Sequence, residues 1–124
     1  MTPSTPSRRA ILVGGFVCLL LGSLLSVPLA QGRAVSAERA HLTDRLSTAS
    51  CLTDWGVNEG AGPEQNASVT GITLGGLQVS VTVPYAYSMP YENETLHADA
   101  GSNAVYEVGL TNARRVSGDD VSPC

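Results

Sequence analysis

The chain has 124 residues, a formal net charge of −4 and a pI near 4.9, with seven arginines and no lysine. A length of that order supports one domain, and the acidic balance lacks the basic footprint of a nucleic-acid binder. From Gln31 onward eleven acids face five arginines, so the part beyond the leading apolar segment carries six net negative charges.

Residues 1–9 form a short polar head that contains Thr2-Pro3-Ser4-Thr5-Pro6. Residues 10–30 follow without a single charge. A helix of about 21 residues spans roughly 30 Å, the hydrocarbon thickness of a bilayer. The segment therefore reads as a transmembrane or signal helix, with membrane lipid as its partner. Ser7-Arg8-Arg9-Ala10-Ile11-Leu12 resembles the twin-arginine export motif, with Arg8 and Arg9 as its arginine pair. Gly14, Gly15 and Gly22 suit such a leader.

Three fates of this leader stay open. A cleaved signal needs a small-x-small site. Pro28-Leu29-Ala30 has proline in the wrong place, and Val35-Ser36-Ala37 lies well beyond the apolar end. An uncleaved anchor is the second reading. In the third, Arg9-Ala10 resembles the cleavage point of pilin-like leaders, whose apolar helix stays on as an assembly stem. Arginines flank both ends of the segment, so positive charge alone does not orient it. The downstream cysteines and acidic surface place the N-terminus inside and the remainder outside.

Beyond the membrane segment, Val35, Leu42, Leu46 and Ala49 share one helical face. They predict a stem helix over 36–49 with Ser36 as N-cap, and Glu38, Arg39, Asp44 and Arg45 mostly off that face. This helix either joins the apolar segment as one long stem, with a kink favoured by Pro28 and Gly32, or stands as a short helix packed on the sheet. Asp54 to Asn66 reads as a loop, punctuated by Gly56, Gly60, Gly62 and Pro63. Trp55 is expected to cover the core or a disulfide.

Ala67 to Leu74 is a strand by its Val, Thr and Ile content, and Gly75-Gly76 a hairpin turn. Leu77, Val79, Val81 and Val83 then alternate with polar residues, the signature of a half-buried strand. The same parity carries Tyr85, Tyr87, Met89 and Tyr91, with Pro84 and Pro90 opposite, so 84–91 is expected as an extended edge segment. Ala104 to Thr111 predicts a further strand with Ala104, Tyr106, Val108 and Leu110 on one face, with room to continue to Val116. The fold class is thus α+β: a membrane helix and a short amphipathic helix, then a small antiparallel β-rich domain over 31–124.

Cysteine usage fits an exported domain. Cys18 lies within the apolar segment, which leaves Cys51 and Cys124 to pair outside the cytoplasm. Their bridge would hold down the C-terminal tail. Tyr85, Tyr87 and Tyr91 offer either core bulk or a surface for a sugar or a partner subunit. Asn66-Ala67-Ser68 and Asn93-Glu94-Thr95 are glycosylation sequons at Asn66 and Asn93. His97-Ala98-Asp99 with Glu92 and Glu94 reads as solvated loop rather than a metal site, since neither His41 nor His97 has a second His or a Cys at ligand spacing. No Gly-x-Ser-x-Gly elbow occurs, and Gly71 to Gly76 lacks the lysine of a phosphate loop. The sequence implies no enzyme, no cofactor and no metal.

The lysine-free acidic composition together with the Arg8-Arg9 leader resembles haloarchaeal membrane-anchored surface proteins. The layout of residues 8–49, an apolar helix followed by an amphipathic stem, is similar to pilin-like subunits. That resemblance implies a structural or adhesive role, with other envelope or pilus subunits as partners. The alternative is a small secreted binding module released after twin-arginine export.

Overall fold

The computed structural model describes residues 27–124 in full. Of residues 8–26 it gives only their place in a helix, and the export motif and most of the apolar segment lie outside the fully described residues. Among the described residues no helix is long and apolar enough to cross a membrane. Helix α1 is Arg8–Ser47, and five strands follow: β1 (Asp54–Val57), β2 (Asn66–Thr73), β3 (Gly76–Tyr91), β4 (Glu94–Val108) and β5 (Ala113–Gly118). The result is one helix on one antiparallel sheet, an α+β unit.

The bounds 36–49 are corrected, and of the two expected forms the stem takes the continuous one. The chain is already helical at residue 27, passes Pro28 and Gly32 without a break, and ends at Ser47. Ser36 is therefore an interior residue and caps nothing. The reason is burial upstream of Val35: Ala30, Ala34, Glu38, Leu42 and Leu46 recur every fourth residue, and all five are buried. Such a stripe keeps the helix on the sheet for its whole described length. Pro28 points to solvent. Arg45, in the last turn, is a cation at the negative end of the helix dipole. Its guanidinium also donates to the Val121 carbonyl at 2.9 Å, to Ser122 and to Asp120.

β3 is the centre of the sheet, which corrects the edge reading of 84–91. Along its whole length it pairs with β4, from Leu77↔Val108 to Tyr91↔Glu94. On its other side β2 covers 76–82 and β1 covers 85–88. Pro84 is tolerated in a central strand because it falls in the gap between those two neighbours. Its carbonyl accepts the Asn58 N–H at 2.7 Å, so the ring nitrogen faces a place where no ladder bond is due. β4 begins ten residues before the expected start, so His97 to Asn103 is strand rather than loop. Leu110, expected on its inner face, is 93% exposed past the strand end, and residues 113–118 form β5.

The β2–β3 turn centres on Leu74-Gly75, one residue earlier than the glycine pair suggests. Gly76 is the first residue of β3, at φ 142°, and a Cβ there would collide with the Val108 carbonyl oxygen. It is glycine for close approach, not for the turn itself. The β3–β4 turn, Glu92-Asn93, has φ 47° and 67°, the pair of positive values a type I′ turn needs.

Two core clusters lie between helix and sheet. One gathers Ala30, Ala34, Val79, Val81, Ala104, Tyr106 and Val108. The other gathers Leu42, Leu46, Val83 and Val121, with Leu52, Val57, Tyr85 and Tyr87 packed against it. Each fully buried Val or Leu contributes about 1.5–3 kcal/mol. Val121 brings the polar-looking tail into the core, and Cys51–Cys124 closes behind it with a Cα separation of 5.9 Å. The disulfide expectation is met.

Candidate functional site

Between the two clusters the buried stripe of α1 carries a carboxylate. Glu38 is 0% exposed, on the same face as Leu42 and Leu46. Its Oε1 accepts from Ser102 Oγ at 2.7 Å and from Arg115 Nη2 at 3.3 Å. Its Oε2 accepts from Tyr106 OH at 2.7 Å and from Arg115 Nε at 3.1 Å. Helix, β4 and β5 therefore meet at one carboxylate, held bidentately by a guanidinium.

The strands dictate these positions. Ser102, Ala104, Tyr106 and Val108 alternate onto the helix-facing side of β4 and are all buried. Arg115 pairs with Tyr106 across β4–β5, next to a register shift that sets it on the inner side with Ala113. Gly118 leaves room for the guanidinium, since a Cβ there would sit 2.5 Å from Arg115 Nη2. That nitrogen also donates to the Asp119 carbonyl at 2.8 Å. Among the described residues every buried side-chain nitrogen and oxygen has a partner.

Opposing effects act on the Glu38 pKa. Burial is the largest and raises it; the hydrogen bonds from Arg115, Ser102 and Tyr106, with the charge of Arg115, outweigh burial and leave it below the ordinary 4.5. Tyr106 is raised by burial and by donating to Glu38. Burial tends to lower Arg115, but its bonds and attraction to Glu38 prevail and raise it. All three groups are thus fixed in one state near neutral pH: carboxylate, phenol and guanidinium. In those states the carboxylate and the guanidinium hold the helix to β4 and β5 as a charged clamp.

The tyrosines separate. Tyr85 and Tyr87 are half-buried against the second core cluster, with ring centroids 6.2 Å apart and 16° between planes. Burial, then the neighbouring Tyr87 and Asp119, raises the Tyr85 pKa. Tyr91 is 58% exposed near the β3–β4 turn. The three do not form one surface. Trp55 lies on β1 opposite Tyr87, 37% exposed and in neither core cluster.

Both sequons are accessible. Asn66 opens β2 and Asn93 sits in the β3–β4 turn, each exposed. His97 meets Ser88 across the β3–β4 ladder, Nδ1 to Oγ at 2.7 Å. This is a cross-strand pair on an exposed face, where such bonds commonly arise. Its neighbours around a shallow hollow include Asp54, Glu59 and Asp99. Among the described residues no three His, Cys, Asp or Glu side chains are grouped to hold a metal ion.

Sequence reasoning missed the Glu38 clasp, although the signal was present. Residue 38 is three after Val35 and four before Leu42, so the face drawn through 35, 42 and 46 includes it. No family model, curated protein or solved structure matches this chain.

Proposed function

We propose that the chain is a single-pass, membrane-anchored protein whose β-rich domain lies outside the cell in a structural or adhesive role, as a minor pilin-like subunit of the envelope. The observation that carries this reading is the continuity of the stem. The chain is helical from residue 27 to Ser47, so the apolar segment leads into the domain without a linker. Ala30 and Ala34 belong to the core, Gln31 Nε2 donates to the Ala67 carbonyl at 3.1 Å, and Arg33 donates to the Gly109 carbonyl at 2.9 Å. A cut at Val35-Ser36-Ala37 would strip these contacts from the domain. This weighs against the secreted module and in favour of a chain that keeps its apolar segment. The partners are membrane lipid and other envelope or pilus subunits, with no nucleic acid, cofactor or metal.

Membrane fractionation with intact-mass analysis of the native protein tests the reading. A mature start at Ile11 in the membrane fraction supports the pilin-like form, and the full-length chain there supports the simple anchor. Soluble protein starting near Gln31 or Glu38 overturns both.

A further inference from the structure

The end of the sheet next to residue 27 is unlike the rest of the surface. There the β2–β3 turn exposes Ile72 at 86% and Leu74 at 111%, the β4–β5 connection exposes Leu110 at 93%, and α1 adds Leu29 at 65%. These four side chains line one open cleft of about 560 Å³, together with Arg33 and turn glycines. Arg33 is the only charged residue in that cleft and in the hollow that adjoins it through Leu29 and Arg33. It makes no ion pair among the described residues, and its guanidinium reaches the carbonyls of Gly109 and Leu110. The chain has eleven acids, and none lines the cleft or the hollow; the nearest, Glu107, lies against Gly75 with its carboxylate accepting from Thr73 Oγ1 at 2.9 Å and paired with Arg114. The uncharged segment 10–30 leaves the domain here.

We propose that this end is a membrane seat: Ile72, Leu74 and Leu110 dip into the interfacial layer of the bilayer, and Arg33 lies at the level of the lipid phosphates. The inference deepens the proposed function and rests on the apolar segment entering lipid. Hydrophobic side chains on two turns flanking a membrane helix bury apolar surface about 5–10 Å into the headgroup boundary, as interfacial helices do. Arginine suits the phosphate level because its stem can lie along apolar surface while its head donates to phosphate. The one acid bordering these tips, Glu107, is neutralised by Arg114, so the domain stands upright on an anionic membrane instead of lying along it.

The test uses the full-length chain with Cys18→Ser, which keeps the Cys51–Cys124 bridge. Single nitroxide labels are placed at Leu74→Cys, Leu110→Cys and, as the distal control, the exposed Thr95→Cys. The protein is reconstituted into phosphatidylcholine–phosphatidylglycerol vesicles and floated on a density gradient. Relaxation by oxygen, which prefers lipid, is compared with relaxation by a water-soluble nickel chelate. The expected result is that labels at 74 and 110 favour oxygen while the label at 95 favours the chelate. If the chain floats but 74 and 110 are as chelate-accessible as 95, the seat is refuted and the anchor stands. Labels shielded from both relaxants would mean that protein, such as a second copy of this chain, covers the end, which also overturns the proposal. A chain that fails to float removes the anchor and the seat together. All three positions are exposed, so the labels leave the fold intact, and far-UV circular dichroism verifies this.

Discussion

Replacing Arg115 with Met should be the most damaging single change to the clasp, and it should reverse the acid response of the domain. In the native protein Glu38 has its pKa below the ordinary carboxyl value, so the unfolded chain binds the proton more readily. The stability this supplies is fully present above about pH 4.5 and drains away as pH falls through the depressed value. Without Arg115, burial is left to act on a carboxylate with 0% exposure, and two hydroxyl donors do not replace a bidentate guanidinium. Removing one partner of a buried pair costs about 3–5 kcal/mol. The folded-state pKa then rises above the unfolded one, so the variant's deficit shrinks on acidification while the native protein loses stability. Glu38→Gln should cost less, about 2 kcal/mol, the loss of charge-assisted bonds to a group that still has the Asp119 carbonyl and partial solvent contact. Urea unfolding of the detergent-solubilised chain, followed by Trp55 emission at pH 7 and pH 4, measures all three. A cost below 1 kcal/mol for Arg115→Met at pH 7, or a deficit that grows at pH 4, would refute the reasoning.

Reduction of Cys51–Cys124, or Cys51→Ser with Cys124→Ser, should cost about 4 kcal/mol, since the bridge closes a sequence separation of 73 residues. A thermal melt with and without reductant reads this directly. Leu42→Ala should destabilise by about 2–5 kcal/mol, whereas Leu29→Ala, on an exposed side chain, should leave the urea midpoint unchanged. Gly76→Ala should abolish the native fold, seen as lost chemical-shift dispersion, because its Cβ has no space beside Val108. Asn93→Gly should stabilise by up to about 1 kcal/mol, as glycine takes positive φ without strain in the type I′ turn, and chemical denaturation checks the sign.

What could be read from the sequence was the part governed by local periodicity. Strict alternation from Leu77 to Val83 named the core residues of β3, and the two cysteines beyond the apolar segment were correctly paired. What escaped depends on partners distant along the chain. Pro84 and Pro90 suggested an edge, since a missing N–H is a liability in most central strands. Only the assembled sheet reveals the gap between β1 and β2 that makes Pro84 harmless. The first half of β4 escaped because the less polar face of Glu94 to Asn103 carries only Leu96 and two alanines as apolar residues, none of them a strong strand former, and its pairing is imposed by β3 and by the tight turn at Glu92-Asn93. Glu38 escaped for a different reason. A carboxylate on a core face is disfavoured until a cation is known to meet it, and Arg115 lies 77 residues away on β5.

Glu38 and Arg115 also bear on how the stem is set against the sheet. The helix stripe over its first described turns is alanine at 30 and 34, small and repeated every fourth residue. An apolar seam of that kind offers little resistance to a slip of one helical turn, which would move the helix about 5.4 Å along the sheet. A carboxylate that must meet one serine, one tyrosine and one arginine removes that freedom, because a slip leaves a buried charge without donors. The same register fixes which residue of the helix lies level with the tips at Leu74 and Leu110. With Glu38 locked between β4 and β5, Leu29 and Arg33 fall beside those tips, and the uncharged segment departs at their level. The internal clasp therefore sets the height at which the domain stands from whatever receives segment 10–30. Apolar residues at both clasp positions could preserve stability, but that height would no longer be single-valued.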